Sequence, residues 1–526
     1  MNATRRAALA LPAALLAAPA LAQPANARTL RFVPQSDVTV LDPLWSTAFV
    51  SRNHAYLVYD TLYGMDAEYR AQPQMAEGHV VEDGGRSWTI TLRPNLRFHD
   101  GEPVRAADCV GSIRRWGARD AFGQALLAAT DELSALDDRR LRFRLKAPFP
   151  LLPEALGKPT VTVPFIMPER LARVDAATQV SEMVGSGPFR FVAGERVAGA
   201  RTVYARNEAY VPREGAPSFT AGGKVAHLDR VEWVVMPDAA TAAAALQNGE
   251  VDWWEQASTD LLPLLRRNRN VEVTRNDPAG WMGILRFNHL QPPFDNPAIR
   301  RAFLGAVNQA DHMQAVAGAD RAMWNDGVGI FTPGTPLAND EGLSVLTGPR
   351  DLAAARRALQ EAGYRGERVV MLVATDLPIV RGLSEVGADM MRRLGVNLEV
   401  QSLDWGTVLA RRVSREPVER GGWSCFYTFT GGLDLASPAG ASTLRGNGPN
   451  AWIGWPNAPE LERLRDAWFA ADGLAAQQAI ARRIQAQAWQ DVPMIPVGQY
   501  FLATAHRRNV TGLLSGAPLF WNVRKG

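Results

Sequence analysis

The chain has 526 residues, 47% of them hydrophobic and 21% charged, with a formal net charge of +3 and two cysteines. That length exceeds what one hydrophobic core supports, so two or three structural units are expected. Acids and bases are interspersed from end to end, and lysine occurs only at Lys146, Lys158, Lys224 and Lys525; without a basic stripe, nucleic acid is excluded as an expected partner.

At the start of the chain, Arg5 and Arg6 precede an apolar run from Ala7 to Ala22, and polar sequence follows. This is the pattern of a secretory signal peptide over residues 1–22. The run is short for a membrane span and carries Pro12 and Pro19, so cleavage after Ala22 is expected, with a second small-residue site after Ala27. Thr4-Arg5-Arg6-Ala7-Ala8-Leu9 loosely resembles a twin-arginine export signal, which leaves two export routes open. Neither Cys109 nor Cys425 lies near a cut, so no lipid anchor is expected, and both read as buried thiols in apolar segments. Cleavage removes two arginines and no acid, leaving a nearly neutral, soluble chain whose expected place is the periplasm.

Farther along, Trp88–Leu92, Leu141–Leu145 and Val231–Met236 alternate apolar and polar residues as strands do. From Pro237 to Gly249 the sequence reads as a helix, with Asp238 capping its first amides and Gly249 ending it, followed by a strand at Val251–Trp254. Asp351 opens a second helix, with Leu352, Ala355 and Leu359 on one face and Gly363 at its end. A strand at Val369–Ala374, a helix from about Pro378 to Leu394 and a strand at Val396–Val400 complete a unit typical of sheets covered by helices. Two helices, Glu460–Ala471 and Leu474–Trp489, break at Gly473, and Met494–Ala503 reads as one closing strand. There is no internal repeat; Gly185–Pro188 and Pro292–Pro297 mark the expected crossings between units.

Local catalytic motifs are missing. Gly185-Ser186-Gly187 is one residue too tight for a nucleophile elbow, and Gly157-Lys158 and Gly223-Lys224 continue into Pro159 and Val225 rather than a P-loop. The histidines, His54, His79, His99, His227, His289, His312 and His506, make no zinc motif, so neither metal nor cofactor is expected.

A series of segments, in order, resembles the oligopeptide and dipeptide class of bacterial extracellular solute-binding proteins. They run from Asp37-Val-Thr-Val-Leu-Asp-Pro43 and Tyr59-Asp-Thr-Leu-Tyr63 through Gln74-Met-Ala-Glu77, Trp88–Arg93, Leu96-Arg-Phe-His-Asp-Gly101 and Val104–Asp108. Gly185-Ser-Gly-Pro-Phe189, Asn207–Tyr210, Leu246–Asp252, Phe287-Asn288, Pro292–Asn296, Ile299–Arg301 and Ala355–Tyr364 complete the series. The resemblance implies an α/β, two-lobed periplasmic-binding-protein fold with mixed sheets, an inserted N-terminal subdomain and a two-strand hinge. One lobe would be discontinuous, 28–59 with 189–285 and 502–526; the insert would span 60–188 and the second lobe 288–499. Met282–Asn288 and Pro496–Phe501 would be the hinge strands.

It further implies the substrate-binding subunit of an ABC importer rather than an enzyme. As a monomer, it would close on a short peptide or peptide-like solute and meet an inner-membrane permease transiently. The same architecture also carries sugars, opines, metal chelates and glutathione, and a secreted enzyme or sensor on this scaffold is the alternative from another class. In the peptide-binding relatives an aspartate near an Asp-x-x-Asp-Pro string receives the ligand's α-amino group. Here that segment resembles Gly431-Gly-Leu-Asp-Leu-Ala-Ser-Pro438, with Asp434 as ammonium partner and Ser437 where an acid is usual. Trp405 matches a tryptophan that lines the cleft. Trp254, Trp281, Phe429 and Trp452 are further aromatic candidates, Arg445 a candidate for a carboxylate, and Thr47 a loop candidate.

Overall fold

The structure, a computed structural model, describes residues 28–160 and 162–526. The expected signal peptide and its cut after Ala22 lie outside the described residues. Two large mixed sheets and a smaller antiparallel one organise the chain.

The first sheet has seven strands. Its parallel centre is Thr29–Val33 between Arg230–Val234 and Trp253–Ala257, flanked by Arg201–Arg206 and Phe189–Phe191 on one side and by Ala503–Arg507 and Val271–Thr274 on the other. The helix Ala239–Asn248 makes the crossover between two of these strands: Asp238 accepts from the Thr241 amide at 2.7 Å, and Gly249, at φ 81°, supplies the left-handed exit. Phe32 lies at the heart of this lobe, its ring 5.0 Å from those of Trp253 and Phe520.

Six strands form the second sheet, in the order Trp324–Asn325, Ile495–Tyr500, Trp281–Phe287, Cys425–Gly431, Val369–Ala374 and Leu398–Leu403. Every residue of Val369–Ala374 is buried, as a continuous apolar strand in a covered sheet requires. The helix Pro378–Arg393 carries the chain over to Leu398–Leu403, a strand that begins two residues later than its alternation suggests. The insert contributes the four-stranded antiparallel sheet containing Ala76–Glu82, Ser87–Leu92, Arg140–Leu145 and Thr130–Ala135. Two buried ion pairs fasten it to the first lobe, Arg115 with Asp42 at 2.9 Å and Lys224 with Asp60 at 2.7 Å. Cys109 and Cys425 are both buried and unpaired.

Between the two large sheets the chain passes twice, outward through residues 275–280 and back through Phe501 and Leu502. Of Met282–Asn288, expected as a hinge strand, residues 282–287 lie in a strand of the second sheet that is paired on both sides as far as Leu285. The single closing strand expected at Met494–Ala503 divides into Ile495–Tyr500 and Ala503–Arg507, one in each sheet. Both halves are buried, so apolar alternation carries no mark of the point where the chain changes sheets.

Candidate functional site

The passages between the sheets close the floor of a cleft. A small pocket of about 70 Å³ lies against them, lined by Arg52, Glu255, Asp277 and Trp281 together with Gly431 and Gly432. A larger chamber of about 500 Å³ opens beside it, between the insert and the second lobe. Leu433 lines both. Phe122, which lines the chamber, and Phe149, both of the insert, meet Phe469 of the second lobe, with ring centroids 5.7 and 6.1 Å apart.

Asp434 follows Leu433, the residue that lines both spaces, without itself lining either. Its Oδ2 accepts from the Thr430 hydroxyl at 3.0 Å and from the Gly431 amide at 3.1 Å. Burial raises its carboxyl above the usual range, while Lys158, Thr430 and Arg52 draw it back down. Lys158 reaches the site from the insert, with its ammonium donating to Asp120.

Arg52 enters from the first lobe on the helix Phe49–Val58 and is 9% exposed, stacked over the Phe49 ring at 4.8 Å. Its guanidinium donates to Asn53 Oδ1 at 2.9 and 3.2 Å. Three carboxylates feel this one cation: Glu255, Asp277 and Asp434. Glu255 accepts from the Gln35 amide at 2.7 Å and from Asn53 Nδ2 at 3.0 Å, yet burial pushes it up to about 7. Burial also raises Asp277, against Arg52 and the amides of Ala279 and Gly280.

Aromatic rings bridge the lobes at the same place. Trp281, at the start of its strand, lies 4.7 Å from Phe49 and 5.3 Å from Phe429, edge-on to both. The approach requires glycine: a Cβ on Gly431 would come within 2.9 Å of Phe49 Cζ, and one on Gly432 within 2.0 Å of the Ala279 carbonyl oxygen.

Residues 70–436 match the family described as bacterial extracellular solute-binding proteins, family 5. The chain belongs to that family. It is 38% identical over 522 residues, 99% of this chain and 97% of the other, to a probable peptide ABC transporter periplasmic-binding protein, y4tO, of Sinorhizobium fredii. To the glutathione-binding protein GsiB of Salmonella typhimurium it is 27% identical over 516 residues, covering 96% and 95%. In fold it is similar to a dipeptide-binding protein from Pseudoalteromonas sp. SM9913 solved with Met-Leu, at TM-score 0.76 and 19% identity, over 95% of this chain and 100% of that one. The two-lobed fold expected from the resemblance is therefore the fold of this family 5 protein, which is an extracellular binder and not an enzyme. Among the described residues no helix is long and apolar enough to cross a membrane.

Of the residues singled out in the sequence of this family 5 protein, Trp281 lines the small pocket, Phe429 packs edge-on against it, and Asp434 follows the lining residues Gly431, Gly432 and Leu433 without itself lining either space. Trp254 instead packs in the core, and its neighbour Trp253, on the opposite face of the strand, lines the small pocket. Trp405 and Trp452 lie apart from both spaces, on either side of the Arg412 guanidinium at 5.6 and 5.5 Å. Arg445 is paired with Glu462 at 3.1 Å, and Thr47 sits exposed in the loop before Phe49. Sequence reasoning missed Arg52, Glu255, Asp277 and Lys158. The signals were faint: an arginine within an otherwise buried helix, and one of only four lysines.

Proposed function

We propose that the chain captures a short peptide or peptide-like zwitterion in the periplasm, closes its lobes on it and delivers it to the permease of an ABC transporter. The observation that carries this reading is the setting of Asp434. Two cations, Arg52 and Lys158, face four carboxylates there, Asp120, Asp277, Glu255 and Asp434, so the wall lacks positive charge that a ligand's ammonium would supply. Among the described residues both donors to Asp434 bind Oδ2, which leaves Oδ1 for that ammonium. The adjoining chamber, at about 500 Å³, lies in the size range of small-ligand sites. The naming of the 38% identical relative as a peptide transporter's binding protein supports both cargo class and permease.

Capture works by differential affinity: a ligand touching both lobes favours the state in which they meet. The two passages, 275–280 and 501–502, are where the lobes would pivot, with the protein acting as a free monomer.

Titration calorimetry with Ala-Ala, Ala-Ala-Ala and glutathione tests the reading. The expected result is binding of at least one of them, weakened about ten-fold or more in Asp434→Asn, which keeps the shape and removes the charge. N-acetylation of the ligand should cost the wild type a similar factor. Unaltered affinity in the variant removes Asp434 from the site; failure of all free-amine peptides, with binding of an opine or a sugar, overturns the cargo.

A further inference from the structure

The chamber wall contributed by the insert contains two polar groups that the α-ammonium does not engage. Glu154, on the short helix Leu152–Leu156, lines the chamber, and its Oε2 is enclosed without a hydrogen-bond partner. Thr160 lines the same space, is 5% exposed, and its Oγ1 is likewise enclosed and unpartnered. Native proteins rarely leave enclosed acceptors unsatisfied, and two of them beside a ligand-sized space call for a partner.

The other charges around the chamber are accounted for differently. Arg70 is paired with Asp66 at 3.0 Å and Glu68 at 3.2 Å, Lys158 donates to Asp120, and Asp472 is exposed to solvent. Glu154 alone combines a lining position with an enclosed, unpartnered carboxylate oxygen. Burial raises its carboxyl, against its own backbone amide, so the carboxylate form gains from any cation that arrives.

We infer that Glu154 and Thr160 form a second subsite that receives a basic group of the ligand, a lysyl ammonium or an arginyl guanidinium, so that the preferred cargo is a short peptide with a basic side chain. The choice of a peptide rests on the reading above; the subsite itself stands on the chamber wall. A cation satisfies both oxygens as a donor and also neutralises the carboxylate, which a neutral donor does not.

The test compares Lys-Ala and Ala-Lys with their norleucine counterparts, which keep the side-chain length and lose the charge. In the wild type at least one lysyl peptide should bind about ten-fold tighter than its norleucine partner, and Glu154→Gln should collapse that gap. Thr160→Val, which keeps the side chain's shape, should narrow it. Peptides that bind without such a gap, or a gap unchanged in either folded variant, overturn the subsite and leave the peptide reading standing. If no peptide binds, that reading fails, and cadaverine decides the subsite alone. A thermal upshift in the wild type that is absent from Glu154→Gln sustains it, whereas no upshift, or an equal one, ends it.

Discussion

Glu255 shows how far one enclosed group can depart from its ordinary chemistry. Two amides and the nearby Arg52 favour its charged form, yet burial outweighs them and lifts it from 4.5 to about 7. A carboxyl that holds its proton longer in the folded chain contributes stability in acid, and loses that contribution as pH rises from about 4.5 through about 7. Asp277 and Asp434, also raised by burial, act in the same direction. Buried histidines oppose them: His54 is lowered to about 3, and His99 and His312 to about 4, so stability grows as pH rises from those values toward 6.5. The whole-protein curve mixes both effects, but the difference between wild type and Glu255→Gln isolates one carboxyl. The variant should gain stability over wild type above pH 7 by up to about 3 kcal/mol relative to its standing below pH 4.5. Urea unfolding across that range measures it, and a flat difference would show that Glu255 titrates normally.

The segment 431–434 and the passage 275–280 act as one device, because each is shaped to admit the other. The Gly432 amide donates to the Gly280 carbonyl at 2.7 Å, and its Cα lies so close to Ala279 that a methyl group has no room. Gly432→Ala should therefore push the second lobe off the passage, costing about 1–3 kcal/mol of stability and weakening ligand binding together with it. Gly194→Ala, a position with nothing within 4 Å of the added carbon, is the control. Loss of stability in both, or in neither, would mean that the close approach at Gly432 is not what matters. This device also marks where the sequence stops being legible. Helix ends were readable because they are local: Asp351 accepts from the Ala354 amide at 2.9 Å, and Gly363 takes φ 102°, three and twelve residues being all the context required. Val369–Ala374 was readable to the residue because its burial is continuous. Asp434 is nameable only through a family resemblance, Trp281 only as one aromatic among several, and Trp254 stands where Trp253 belongs because alternation does not say which face meets the cleft. Arg52, Glu255 and Asp277 come from three separate segments that meet only after folding, and no spacing rule in the chain connects them.

At the scale of the whole molecule, the lobes meet at two places with different duties. Near the passages Phe49, Trp281 and Phe429 form a chain of edge-on rings, whose geometry would change little if the lobes pivot there as proposed. Phe122 and Phe149 meet Phe469 across the insert and the second lobe, and on the proposed closure this contact would have to break for a ligand to enter. Phe469 packs against the apolar cluster that the insert and the second lobe share, yet it does not line the chamber, so shortening it alters the closing equilibrium without touching the ligand. An aromatic contact of this kind contributes about 0.5–1.5 kcal/mol beyond the area it buries. Phe469→Ala should accordingly shift the unliganded protein toward the open state and weaken binding up to about ten-fold, because the apparent affinity falls with the closed fraction. Small-angle scattering reads the first effect as a larger radius of gyration without ligand, and saturating peptide should bring the variant back to the wild-type value. A radius that is the same in both proteins and unmoved by ligand would mean that the two lobes are one rigid body, and that cargo enters the chamber by some route other than their parting.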